Sequence, residues 1–239
     1  MIAWRDEGVL LSARRHGEAD AIIEALTAAH GRHAGVVKGG GGRRMAQLQP
    51  GTQIALEWRA RLADHLGTVR VEPLRDRAGA IMADACALAA LSSAAALLCA
   101  FLPEREPCAE LYARSVALMD ALAAGPGWGA AYARWELDLL ATLGFGLDLS
   151  ACAATGETGA LVWVSPRTGR AVSAAAGAPY ADRLLALPSF LLGEGEAAPG
   201  DLAAALRLTG WFLDRWAAPA FGLEAAPPAR ARLAARIGI

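Results

Sequence analysis

Ile54-Ala55-Leu56-Glu57-Trp58-Arg59-Ala60-Arg61 decides how the first third of the chain is read. Ile54, Leu56, Trp58 and Ala60 fall on one side of an extended backbone. Glu57, Arg59 and Arg61 fall on the other, the period-two pattern of a strand with one buried face. Downstream, Leu66-Gly67-Thr68-Val69-Arg70-Val71 repeats the pattern, with Val69 and Val71 inward and Arg70 outward. Upstream, Pro50-Gly51 marks a turn. Residues 31–37 read as a strand, residues 21–26 as a strand or a short helix, and Val9-Leu10-Leu11-Ser12-Ala13 as the first strand. Five short strands in roughly 70 residues suit a small closed barrel.

The strand over residues 31–37 runs into Val36-Val37-Lys38-Gly39-Gly40-Gly41-Gly42-Arg43-Arg44. Four glycines remove the side chains that would restrict the backbone. Two readings stay open: a loop that approaches phosphates closely while its cations follow them, or a solvated connection between strands. A nucleotide cradle is not expected, because a phosphate-binding P-loop needs Gly-Lys-Ser/Thr and these glycines lead into Arg43-Arg44-Met45. Arg14, Arg15, Arg32, Lys38, Arg43, Arg44, Arg59, Arg61 and Arg70 are expected to share much of one surface of the barrel.

Charge is uneven along the chain. Residues 1–80 hold 12 Lys and Arg against 9 Asp and Glu, net +3, whereas residues 81–239 hold 11 against 15, net −4. The N-terminal third is therefore the better partner for a polyanion. The 239 residues are 55% hydrophobic, too apolar for a disordered chain and enough for one large or two small domains. Cys86, Cys99, Cys108 and Cys152 make no paired framework and are expected to be reduced, as in the cytoplasm. No signal-peptide pattern opens the chain. Residues 85–102 carry no charge, nearly a membrane-spanning length, but Leu88, Leu91, Leu98 and Leu102 share one face of an Ala-rich segment, which reads as a buried bundle helix.

The helical part follows. That first helix stops before Pro103, and a second runs from about residue 107 to 123, with Leu111, Leu118 and Leu122 on one face. A third carries Tyr132, Trp135, Leu139 and Leu143. Leu161-Val162-Trp163-Val164, the turn Ser165-Pro166-Arg167-Thr168-Gly169 and Arg170-Ala171-Val172 make a hairpin that interrupts the helices. Helix is expected again over 181–192 and 201–216, the latter with Leu202, Leu206, Leu213 and Trp216 inward. Residues 194–200 form a loop, and a short basic helix carries Arg230, Arg232 and Arg236. No Gly-x-Ser-x-Gly, His-Glu-x-x-His or dinucleotide fingerprint occurs. His30 and His33 have a loose metal spacing but are expected on the surface, and Glu136 and Asp138 do not face each other on their helix. No enzyme chemistry, cofactor or metal is indicated.

The order of these parts resembles the RecO family of bacterial repair and recombination mediators. Trp4-Arg5-Asp6-Glu7-Gly8-Val9-Leu10 is similar to the family's opening strand. Val37-Lys38-Gly39 with Arg43-Arg44 and Leu48-Gln49-Pro50 is similar to its K-G-x-R-R…L-Q-P segment. Arg134-Trp135-Glu136-Leu137-Asp138-Leu139-Leu140 with Leu143-Gly144-Phe145-Gly146-Leu147 is similar to its R-F-E-L-x-L-L…L-G-Y-G-L helix end, and residues 165–169 to its hairpin turn. The resemblance covers nearly the whole chain. It departs where many members carry C-x-x-C…C-x-x-C around the hairpin as a zinc site: here the four places read Cys152, Thr155, Ser173 and Ala176. Structural zinc is not expected, and Leu161, Trp163, Val172, Tyr180 and Leu184 are expected to hold the hairpin instead.

The resemblance implies an α+β fold: an oligonucleotide/oligosaccharide-binding (OB) barrel over residues 1–78, then a helical domain over 79–239 with a degenerate zinc-finger-like hairpin at 150–177. It implies a non-enzymatic protein that binds single- and double-stranded DNA, with aromatic stacking as a possible addition, and anneals complementary strands. With RecR, it would help load the recombinase RecA onto strands coated by single-strand-binding protein. Lys38, Arg43 and Arg44 would be the main phosphate contacts, supported by Arg14, Arg15, Arg32, Arg59 and Arg61. Arg134 beside Trp135 would anchor the acidic tail of the single-strand-binding protein. Cytoplasmic location at the nucleoid and no membrane partner follow. The rival is a small enzyme of nucleotide or RNA metabolism that uses the barrel for its substrate; a third possibility is a purely structural interaction module.

Overall fold

The computed structural model describes residues 1–193 and 197–239. The loop expected over 194–200 therefore lies partly outside the described residues. The chain divides into two compact units, Met1–Gly125 and Pro126–Ile239.

In the first unit five strands close a barrel in the order β1-β2-β3-β5-β4. They are β1 (Ile2–His16), β2 (Asp20–Thr27), β3 (Gly31–Val37), β4 (Gln53–Ala60) and β5 (Thr68–Arg75). All neighbours are antiparallel except β3 and β5, which meet in parallel at Val36 and Thr68. This is the OB-fold arrangement. The open choice over residues 21–26 resolves to a strand. β1 is long enough to serve two partners: its first half pairs with β4 and its second with β2, across a register shift between Leu10 and Ser12. The core is the expected inward set, Ile54, Leu56, Trp58, Val69 and Val71 with Leu10, Ile23 and Val37. Gly35 belongs inside too, because a Cβ there would lie 2.1 Å from Val69 Cγ2.

The barrel ends at Arg75, and α1 (Ala78–Met82), α2 (Ala85–Phe101) and α3 (Ala109–Ala124) complete the unit. Asp84 caps α2 by accepting the Cys86 N–H at 2.7 Å. Leu91, Leu98 and Leu102 are buried as expected, and Leu88 stands at the surface. Among the described residues no helix is long and apolar enough to cross a membrane. Arg77 is enclosed, its guanidinium shared among Asp120, Gln53 and the Gly51 carbonyl.

The second unit opens with α4 (Trp128–Thr142). β6 (Leu161–Val164) and β7 (Ala171–Ser173) form the expected hairpin, and β8 (Leu185–Ala186) pairs on the free edge of β6. The helix expected over residues 181–192 does not form. α5 (Ala174–Gly177) is one turn, followed by a 3-10 turn at Ala178–Arg183, β8, and another at Ser189–Leu192. Pro179 and Pro188 remove N–H donors and disfavour helical geometry before them. α6 (Asp201–Phe212) passes through a π turn at Leu213–Ala217 into α7 (Ala218–Ala220), and α8 (Pro228–Ile237) ends the chain's helices. Pro219 cannot donate to the Arg215 carbonyl, which accounts for the widened turn. That turn leaves Trp216 half-buried against Phe212, while Leu206 and Leu213 are buried as expected.

Candidate nucleic-acid interface

The glycine segment is neither loose nor a phosphate cradle in isolation. Gly41 N donates to Ala19 O at 2.8 Å and Gly39 N to Asp20 Oδ1 at 3.0 Å. These bonds seat the segment on the β1–β2 turn. A Cβ at Gly41 would stand 2.6 Å from Asp20 O, so that seat needs glycine. The chain then enters a 3-10 turn, Arg43–Gln47, with no buried residue, which presents Arg43 and Arg44 to solvent.

Beside it lies a groove of about 320 Å³ lined by Lys38, Arg44, Arg59 and Arg70, with Val37, Val69 and Val71 below and Glu57 among the cations. Four cations from three separate stretches thus converge. Two are held by carboxylates. Lys38 Nζ stands 2.7 Å from Asp20 Oδ2, and Arg59 Nε donates to Glu57 Oε1 at 2.9 Å. Arg59 beside Glu57, and Lys38 beside Asp20, hold both carboxyls below the usual range. These pairs are exposed, so each contributes little to stability and a phosphate can compete for the cation. Arg5 reaches Glu57 at 3.5 Å and with Arg70 lines the adjoining cavity. Arg70 lies on the cationic surface expected for it, and Arg5 joins the expected site residues; outward alternation along β1 is the signal for Arg5.

The remaining expected cations divide. Arg61 lines a neighbouring cavity with Arg59. Arg43 is exposed outside the groove lining, and Arg14 and Arg15 are exposed near the hairpin end of β1. Arg32 is corrected. Its guanidinium donates to the Leu102 carbonyl at 2.9 Å and pairs with Glu24, with Glu104 Oε1 at 3.7 Å. With its side chain only 14% exposed, it fastens residues 102–104 to the barrel rather than meeting phosphates.

The aromatic contribution is corrected as well. Trp58 is inside the barrel, and Trp4 stacks on His30 at 3.9 Å with the rings 7° apart. Trp58 therefore offers no face for stacking, and Trp4 is half-buried with His30 stacked on it. His33 is buried, not at the surface, because it occupies an inward position of β3. Burial pushes its pKa down to about 4, so it is neutral near pH 7. His30 remains half-buried with Nδ1 2.9 Å from Asp6 Oδ2. The two histidines face no common ligand set: among the described residues no group of three or more His, Cys, Asp or Glu is placed to hold a metal ion.

In the second unit Arg134 and Trp135 separate by one step of the helix. Trp135 is core. Arg134 is exposed, donates from Nε and Nη2 to Phe190 O at 3.2 and 2.8 Å, and lies over the Phe190 ring at 5.5 Å. Only Arg134 is available to a partner. Glu136, which the sequence leaves as an ordinary helix residue, is fully buried and paired with Arg230 at 2.9 Å. Arg232 and Arg236 stay outside.

The corner with the departed zinc ligands does not fit that ion. Tetrahedral zinc needs four nitrogen or sulfur donors; Ala176 has none, and Thr155 Oγ1 is engaged with Glu157. Cys152 is buried and its Sγ accepts the Ser173 N–H at 3.2 Å, a bond that ties the corner without metal. Around it Leu161 and Val172 are buried, Trp163 and Leu184 are half-buried, and Tyr180 is exposed, so Tyr180 is no part of the packing that holds the hairpin. Cys152→Ser keeps an acceptor and is expected to cost under about 1 kcal/mol, whereas Cys152→Val, which orphans the N–H, is expected to cost about 1–3 kcal/mol. Urea titration of both variants checks this; equal losses would contradict it.

Two family profiles match successive parts of the chain and meet nearer the end of the barrel than the boundary between the two compact units. The family profile described as recombination protein O N terminal matches residues 1–76, and that described as recombination protein O C terminal matches residues 82–220. A DNA repair protein RecO from Ruegeria sp. (strain TM1040) is 56% identical over 230 residues, spanning 96% of this chain and 95% of the relative. One from Cereibacter sphaeroides is 57% identical over 234 residues (98% and 97%), and one from Rhodospirillum rubrum is 52% identical over 222 (90% and 88%). Matched from the barrel through the helical part, and along nearly the full length of these relatives, the chain belongs to the RecO family of bacterial DNA repair proteins.

Proposed function

We propose that this protein is a recombination mediator that binds single- and double-stranded DNA on its barrel and anneals complementary strands. With RecR it helps load RecA onto strands coated by single-strand-binding protein, at the nucleoid in the cytoplasm. It makes and breaks no covalent bond. The observation that carries this is the convergence of Lys38, Arg44, Arg59 and Arg70 on one groove beside the exposed Arg43. Backbone charge of that kind binds either form of DNA without reading sequence. The test is annealing of complementary oligonucleotides, bare and coated with single-strand-binding protein, beside nuclease and NTPase assays. Faster annealing in both settings supports the proposal; turnover without annealing overturns it in favour of an enzyme.

The second unit is proposed to receive the acidic, Phe-ending tail of single-strand-binding protein at Arg134. Its guanidinium is fixed by Phe190 O yet exposed, ready to meet a carboxylate. A tail peptide is expected to bind the full-length protein, and Arg134→Ala to weaken it by about 1.5–3 kcal/mol. Calorimetric titration reads this. Unchanged peptide affinity in Arg134→Ala would remove Arg134 from the site.

A further inference from the structure

Arg230 is paired with Glu136, yet one end of its guanidinium is unused. Nε and Nη2 donate to Glu136, and Nη2 also to Leu206 O and Thr209 Oγ1. Nη1 has no acceptor among the described residues, although the side chain is only 9% exposed. A Cβ at Gly210 would stand 2.6 Å from Nη1. Nη1 therefore lies against α6 at a place that only glycine leaves clear.

Arg230 and Gly210 both line a cavity of about 390 Å³ within the second unit, room enough for a small ligand. Arg207, Trp211 and Arg215 line it too, spaced every fourth residue along α6 and its π turn. Arg207 and Arg215 are exposed and make no ion pair among the described residues. The Arg215 guanidinium lies over the Trp211 ring at 5.5 Å, and Trp211 Nε1 donates to Pro166 O at 3.3 Å. The ring is thus held in place while 38% exposed. Asp214 is the one acidic side chain in the lining, and its Oδ1 accepts the Ala226 N–H at 2.9 Å. Leu185, Leu206 and Ala234 supply apolar wall.

We propose that this cavity binds the phosphate monoester of a nucleotide, either a free mononucleotide or the 5′-phosphate at the end of a strand. Three positive side chains against one carboxylate leave an excess of two charges in the lining. A phosphate monoester carries nearly two negative charges at neutral pH, and guanidinium groups match its oxygens in pairs. A single carboxylate would answer only half of that excess, and a neutral ligand none. The buried Nη1 supplies a donor that the protein leaves without an acceptor, and the exposed Trp211 ring with the apolar wall supplies a surface for the nucleoside. Neither the barrel cations nor Arg134 belongs to this lining, so the site stands apart from both surfaces of the proposed function.

The test is calorimetric titration of the full-length protein with thymidine 5′-monophosphate, thymidine and inorganic phosphate. The variants are Arg207→Gln/Arg215→Gln and, as a control, Arg232→Ala, which is exposed and outside the lining. The wild type and Arg232→Ala are expected to bind the monophosphate with a Kd below about 1 mM, and thymidine and inorganic phosphate at least about tenfold more weakly. The double variant should bind the monophosphate at least about tenfold more weakly than wild type, with an unchanged circular dichroism spectrum. A second arm compares one short oligonucleotide bearing a 5′-phosphate or a 5′-hydroxyl. Preference for the phosphorylated strand that disappears in the double variant identifies the strand end as the source; monophosphate binding without such a preference identifies the free nucleotide. Absence of both monophosphate binding and end preference overturns the site, as does a double variant with wild-type affinity. Thymidine or inorganic phosphate bound as tightly as the monophosphate overturns the nucleotide assignment. Displacement of the monophosphate by the tail peptide of single-strand-binding protein overturns it as well and gives the cavity to the tail.

Discussion

Replacing Arg230 by alanine is expected to destabilise the unit of residues 126–239 by about 3–5 kcal/mol. Glu136 is 0% exposed. Its Oε1 accepts from Tyr132 Oη at 3.0 Å and Arg230 Nε at 2.9 Å; its Oε2 accepts from Arg230 Nη2 at 3.0 Å and from Thr209 Oγ1. The same Nη2 donates to Leu206 O at 2.7 Å. Burial works against the guanidinium charge, but the Glu136 carboxylate outweighs it and raises the Arg230 pKa. Without Arg230 a carboxylate would be left inside the protein with two hydroxyls for company, and α8 would lose its tie to α4 and α6. Gly210 is fitted to the pair, since a Cβ there would lie 2.6 Å from Arg230 Nη1. Urea denaturation followed by circular dichroism measures the loss. Glu136→Gln/Arg230→Met, which removes both charges and leaves an amide for the hydroxyls, should be less destabilised than Arg230→Ala. Exposed Arg232→Ala should stay within about 0.5 kcal/mol of wild type. An Arg230→Ala variant that loses less than about 1 kcal/mol would contradict the assignment.

The second large effect is on DNA. Arg43→Glu/Arg44→Glu is expected to weaken binding to both single strands and duplex while leaving the fold unchanged. The 3-10 turn that carries the pair has no buried residue, so reversal of both charges disturbs no packing. Removing one arginine–phosphate pair lowers the magnitude of the slope of log affinity against log salt by about 0.7 on single strands and about 0.9 on duplex. Removing two therefore predicts a slope shallower by about 1.4 on single strands. Lys38 cannot take over without leaving Asp20. Affinity measured across a salt series, with circular dichroism as the folding control, decides it: wild-type affinity and slope would remove Arg43 and Arg44 from the interface.

Much of the fold is legible because local pattern and tertiary role agree. The alternation through Ile54, Leu56 and Trp58 is both a strand pattern and the barrel's core. Pro103 and residues 125–127 break helices where the chain cannot continue them, and Gly169 closes the hairpin turn at φ +68°. The segment 181–192 is misread because its Leu and Ala content favours helix, while two prolines and a two-residue pairing with β6 favour extended chain. His33 shows the opposite limit. Its inward place in β3 is visible only once the glycines at positions 31 and 35 are recognised as inward residues too.

By itself, the sequence determined most of the strands and helices, though not residues 21–26 or 181–192, that the cations concentrate in the first 80 residues, and that the hairpin corner keeps only Cys152 of four cysteine ligands. Those are properties of neighbouring residues. The tertiary structure alone decided what each arginine does. Arg32 and Arg44 look alike in the chain, yet one is clamped by Glu24 and the Leu102 carbonyl while the other lines the groove. Arg230 resembles Arg232, yet it is turned inward by a carboxylate 94 residues away. The physical reason is that a charge takes its role from the solvent and counter-charge around it, and folding brings those together from parts of the chain that no local pattern connects.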